Sequence, residues 1–121
     1  SFNNQGPIKG SILTYPGAKI ENGVIYYIHG GGFFLGFPEM GYAMLCVMAQ
    51  YLGMIAVAID YHYCPEISIP QQVDECIIGY KYILNELKVS PKKVFITGGS
   101  AGGGLVLLTL QKLNKVGLAQ P

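Results

Sequence analysis

The chain has 121 residues, half of them hydrophobic and only 12% charged, with a formal net charge of +1. That length allows one domain at most, with a real core, and the absence of any basic run argues against a nucleic-acid or anionic-membrane partner. So little charge on so small a chain implies that some apolar surface is meant to be covered.

Residues 1–7 are polar and read as a flexible end. Residues 8–15 have mixed β character and stop at Pro16-Gly17, so an outer strand is expected there, with a second turn at Glu21-Asn22-Gly23. Val24-Ile25-Tyr26-Tyr27-Ile28 is a continuous apolar run, suited to a strand buried on both faces. Apolar residues at 40, 43, 44, 47, 48, 51 and 52 predict a helix over 38–52, with Pro38 at its start and Gly53 just past its end. A buried strand over 54–59 is closed by Asp60, and a loop follows over 61–70. Val73, Cys76, Ile77, Tyr80, Ile83, Leu84 and Leu87 mark an amphipathic helix over about 71–88, broken by Ser90-Pro91. A strand over 94–97 then leads into a third helix, apolar on most faces and so expected to be buried, with Gly117 as its cap. Strands alternating with helices predict an α/β fold: about four strands, mostly parallel, with three helices packed on the sheet.

The cysteines Cys46, Cys64 and Cys76 are odd in number and show no C-x-x-C spacing. They read as free, mostly buried thiols of a reducing compartment, which implies a cytoplasmic location. No apolar run approaches the roughly 18 residues of a membrane span, and none is expected.

Two glycine turns carry the chemistry. Gly98-Gly99-Ser100-Ala101-Gly102 matches G-x-S-x-G between a β-branched strand and a helix, the pattern of a nucleophile elbow. A serine on so tight a turn needs small residues two positions to either side, where a side chain would strike the neighbouring strand and helix. Its hydroxyl then stands beside a helix N-terminus, whose unpaired N–H groups can stabilise an oxyanion. By itself the pattern also fits a phosphate-binding or merely structural turn, since the chain carries 17 glycines. The second turn, His29-Gly30-Gly31-Gly32, also follows a buried strand. Sites in parallel α/β sheets form outside the carboxyl ends of the strands, where both turns lie. An H-G-G-G turn paired with an elbow is the two-part oxyanion hole of lipases and esterases. Neither turn matches a nucleotide-binding glycine pattern.

With these residues the chain resembles the α/β-hydrolases of the hormone-sensitive-lipase and arylacetamide-deacetylase type. Three motifs carry the resemblance in the family's order: His29-Gly30-Gly31-Gly32-Phe33; Asp60-Tyr61-His62-Tyr63-Cys64-Pro65-Glu66, similar to D-Y-R-L-A-P-E; and Gly98-Gly99-Ser100-Ala101-Gly102-Gly103, similar to G-D-S-A-G-G. The resemblance implies Ser100 as acyl nucleophile, an oxyanion hole from the N–H groups of Gly31, Gly32 and Ala101, a small carboxylic ester as substrate, and no metal or cofactor. The chain departs from the family where Gly99 replaces Asp, which loosens the elbow, where Gly104 replaces a common Asn, and where His62 and Cys64 replace Arg and Ala.

A serine nucleophile needs a base and the base an orienter. The segment 101–121 holds no His, Asp or Glu. His29 belongs to the oxyanion turn and is expected to brace it; Asp60 and Glu66 are expected to brace loops, and His62 to be at most an improvised base. In the resembled family, further strands pair beyond the one over 94–97. The expectation is therefore a single, incomplete domain over 1–121 whose open edge takes a missing C-terminal half or a second copy. Two other readings stay open: a non-catalytic small-molecule binder on the same scaffold, and a truncated inactive product. Phe33, Phe34, Leu35 and Phe37 read as ordinary packing, with an acyl pocket as the alternative.

Overall fold

The computed structural model describes residues 8–30, 41–62, 67–99 and 101–121. The expected flexible end over 1–7 lies outside the described residues, as do Phe33, Phe34, Leu35, Phe37, Cys64 and Glu66.

Four strands and three helices follow the predicted order: β1 (Lys9–Leu13), β2 (Val24–Ile28), α1 (Tyr42–Leu52), β3 (Ile55–Asp60), α2 (Ile69–Asn85), β4 (Val94–Gly98) and α3 (Ala101–Lys115). The strands form one sheet in the order β1-β3-β2-β4. β2 runs parallel to both β3 and β4, with Tyr26 opposite Val57 on one side and Ile96 on the other. β1 is the antiparallel outer strand and pairs with β3. β2 is thus interior, and every one of its residues but Tyr27 is buried. Its unbroken apolar run is the mark of a strand covered on both faces.

The bounds of two helices differ from the sequence pattern, and α2 also ends at Asn85, before the expected 88. α1 begins at Tyr42, after Gly41 in the left-handed conformation (φ 83°); the expected start at Pro38 lies outside the described residues. α2 begins at Ile69, two residues earlier than its apolar stripe suggests. Ser68 and Gln71 form a capping box there, each side chain bonded to the other's backbone N–H, and Pro70 sits in the first turn.

The faces of the sheet are unequally covered. On one, Val24, Tyr26, Ile28 and Val94 pack with Val73, Cys76, Tyr80 and Ile83 of α2 and with Leu105 and Leu113 of α3. On the other, a smaller cluster joins Ile25, Ala56 and Ala58 to Leu45 and Ala49 of α1. α3 is not buried all round, as its composition had suggested. Leu105 and Leu113 are fully buried, but Leu107 on its outer side is 69% exposed. One stripe of the helix meets the sheet and α2, and no described element lies over the rest.

Candidate functional site

β2 and β4 end side by side, with Ile28 opposite Gly98. Both glycine turns leave the sheet from this edge. At the second turn the glycine requirement is steric. A Cβ on Gly102 would run into the carbonyl oxygen of Ile28 and stand 2.5 Å from that of His29. One on Gly98 would stand 2.7 Å from the Ile28 carbonyl oxygen and 2.7 Å from the backbone of Gly102. The first turn of α3 therefore lies directly on the end of β2, and only a residue without a side chain permits the approach. The N–H of Gly102 donates to the Gly99 carbonyl at 2.9 Å. Gly99 is different: a Cβ there meets nothing within 4 Å among the described residues.

Of the four predicted site residues, Ala101 is described: it is the buried first residue of α3, where backbone N–H groups lack helical partners. Ser100, Gly31 and Gly32 lie outside the described residues.

His29 is fully buried at the end of β2. Its ring stacks on that of Tyr61 with centroids 4.5 Å apart and planes 10° from parallel. Nδ1 lies 2.6 Å from the Gly30 carbonyl oxygen; a carbonyl only accepts, so Nδ1 carries the proton in this arrangement. Asp60 Oδ1 lies 3.7 Å from Nε2. The Tyr61 hydroxyl donates to the His29 carbonyl at 2.9 Å. His29 and Asp60 thus hold the bracing positions expected of them.

His62 is tied to α2. Its backbone N–H donates to Glu75 Oε1 at 2.8 Å, its Nδ1 meets Glu75 Oε2 at 2.8 Å, and Gln72 Nε2 donates to its carbonyl at 3.1 Å. Glu75 is fully buried, and a buried carboxylate is tolerable only when its oxygens are partnered. The sequence reading missed this latch. Its signal was a carboxylate between Val73 and Cys76, inside the apolar stripe of α2.

Three buried side chains on the α2 side hold their protons tightly. Burial raises Tyr26 well above the ordinary tyrosine range, pushes the Cys76 thiol up to about 12, and raises Tyr80. Cys76 is an inert interior thiol as expected, whereas Cys46 on α1 is exposed, contrary to expectation: it lies on the helix side away from Leu45 and Ala49. Among the described residues, no group of three His, Cys, Asp or Glu is placed to hold a metal, and no helix is long and apolar enough to cross a membrane.

A sheet with parallel inner strands, helices on both faces and a glycine-packed strand–helix junction at its carboxyl edge defines an α/β-hydrolase scaffold. A family model for the alpha/beta hydrolase fold matches residues 25–121, and the chain belongs to that family. It is 36% identical over 99 residues to "Neutral cholesterol ester hydrolase 1" of Mus musculus, covering 76% of this chain and 24% of that protein. It is 30% identical over 103 residues to "Acetyl esterase" of Salmonella schwarzengrund, covering 81% of this chain and 32% of that one. The crystal structure of an esterase from the bacterial hormone-sensitive lipase family superposes with a TM-score of 0.82 at 30% identity, over 94% of this chain and 41% of that one. The chain spans less than half the length of each of these proteins.

Proposed function

We propose that this chain carries the nucleophile and oxyanion half of a serine carboxylesterase. The observation that carries the reading is the seating of Gly102, in the first turn of α3, on the carbonyls of Ile28 and His29. It seats the start of α3, just past the G-x-S-x-G serine in sequence, on the strand end at which the H-G-G-G motif begins. In the proposed reaction Ser100 Oγ attacks the carbonyl carbon of a small carboxylic ester and gives up its proton to a base. The negative charge on the tetrahedral oxygen is held by the N–H groups of Gly31, Gly32 and Ala101. The alcohol leaves with a proton, and water then hydrolyses the acyl-enzyme. No metal or cofactor takes part.

The base and its orienter are proposed to come from beyond these residues. The segment 101–121 has no His, Asp or Glu, His62 is engaged with buried Glu75, and His29 braces its own turn. Among the described residues β4 has one neighbour in the sheet, and Phe95 on it is 54% exposed. A C-terminal half of the hydrolase, or a second copy of the chain, is the proposed cover for this edge of a single domain over 1–121. The exposed thiol of Cys46 supports a reducing, cytoplasmic setting. The same shortage of acid and base favours a second reading, a small-molecule binder on this scaffold.

Fluorophosphonate labelling tests the proposal. With the segment that supplies the base present, one adduct per chain is expected, located on Ser100 and abolished by Ser100→Ala. No label at Ser100 in that complete protein overturns the esterase reading and leaves the binder.

A further inference from the structure

Tyr61 comes from a different motif than the oxyanion turn, yet its hydroxyl and its ring both engage that turn's first residue. Its hydroxyl donates to the His29 carbonyl at 2.9 Å, and its ring stacks on the His29 imidazole. We infer that Tyr61 is the positioning residue of the oxyanion turn, setting the direction in which the chain leaves β2. The inference rests on the proposed reading of residues 29–32.

The argument begins with the ladder. Ile28 is the last residue of β2 paired with β3 and β4. The next carbonyl, that of His29, lies past the sheet and needs another partner in a fully buried place. Tyr61, just past the end of β3 and itself 1% exposed, supplies it. Gly102 closes the opposite approach, since a Cβ there would stand 2.5 Å from the same oxygen. The carbonyl is therefore held between a hydroxyl from one neighbouring element and a helix turn from another.

The ring contact carries the constraint one peptide further. Stacking on Tyr61 fixes the imidazole plane, and Nδ1 of that ring bonds the Gly30 carbonyl at 2.6 Å. Whatever fixes the Gly30 carbonyl therefore fixes the entry to the turn proposed to carry the oxyanion donors. Three consecutive glycines have little torsional preference of their own. A turn built from them needs such an outside brace to aim its donors before the transition state forms.

The test compares Tyr61→Phe with Tyr80→Phe in the purified protein. Tyr80 is an equally buried tyrosine whose hydroxyl donates to the Ala119 carbonyl at 2.8 Å, so it controls for losing one such bond. Amide hydrogen exchange is followed at Gly30, Gly31 and Gly32 and across β3 and α3. Tyr61→Phe is expected to speed exchange roughly fivefold to tenfold at the glycines, the scale of one hydrogen bond, with β3 and α3 unchanged. Tyr80→Phe is expected to leave the glycines as in wild type. Unchanged exchange at the glycines in Tyr61→Phe, or a uniform rise over the whole sheet, overturns the inference. Where the wild type hydrolyses a p-nitrophenyl ester, Tyr61→Phe should lower kcat by a similar factor at constant KM, and an unchanged kcat also overturns it. A wild type that turns over no ester counts against the proposed function alone, and the exchange result still decides the role of Tyr61.

Discussion

The two faces of the sheet solve the same packing problem to different degrees. Toward α2 and α3, three buried tyrosines each direct a hydroxyl to a backbone carbonyl: Tyr26 to Cys76, Tyr61 to His29 and Tyr80 to Ala119. Burial of their rings is thereby combined with full use of their polar ends. Toward α1 the cluster is small, and the outer side of that helix exposes Met44, Val47 and Tyr51, the last at 90%. Phe95, which the register places beside Ile25 on this face, is half open. The difference explains why a chain with so few charges can still hold a fixed core: apolar residues are concentrated on the closed face, and the excess marks the open one.

Paired substitutions, one at a packed position and one at an open one, put the difference between covered and uncovered sites to measurement. The largest gap is expected along α3. Leu105→Ala, at a fully buried site, should cost about 2–5 kcal/mol in urea denaturation, whereas Leu107→Ala should change stability by less than about 0.5 kcal/mol. Equal costs would mean that something covers the outer side of α3. A smaller gap is expected within the elbow. Gly102→Ala should cost about 1–3 kcal/mol because its Cβ has no room beside the Ile28 and His29 carbonyls, while Gly99→Ala, whose Cβ meets nothing among the described residues, should be near neutral in folding. At neutral pH the smallest effect on stability concerns the thiols. At neutral pH iodoacetamide should modify Cys46 and spare Cys76. Cys76 has its folded value raised from 9.0 to about 12, so the folded state keeps a proton that the unfolded state releases. Its contribution is intact below pH 9 and lost as pH rises toward 12, on the order of 1 kcal/mol per pH unit. Cys76→Ala should flatten that part of the stability–pH curve.

Much of this architecture is written in local pattern. The apolar run of Val24–Ile28 marks an interior strand because burial on both faces leaves no reason for alternation. Gly53 marks the end of α1 because it adopts φ 71°. What the pattern hides are features that lie off the apolar stripe or are set by a partner distant in sequence. The early start of α2 depends on the Ser68–Gln71 box, whose two capping residues are polar and add nothing to the stripe. The outer face of α3 carries leucines as hydrophobic as its inner face, so composition alone cannot tell Leu105 from Leu107. At the site, the glycines at 98 and 102 are legible because their need is steric and local. The clamp of Tyr61 on His29 and the latch of His62 on Glu75 each join residues from separate elements, and no spacing rule within one segment encodes them.

The strand order has a kinetic consequence. None of the three pairings is a hairpin: Lys9 meets Asp60, Val24 meets Ile55, and Val24 also meets Val94. The central strand β2 is made before both of its neighbours, and β4 follows only after β3 and α2. Closing such long loops costs entropy before any contact offsets it, which places the chain among slowly folding, high-contact-order domains. Until β4 arrives, the apolar Val24–Ile28 segment has one side unpaired, and that interval is when a nascent chain of this design most needs protection from its neighbours.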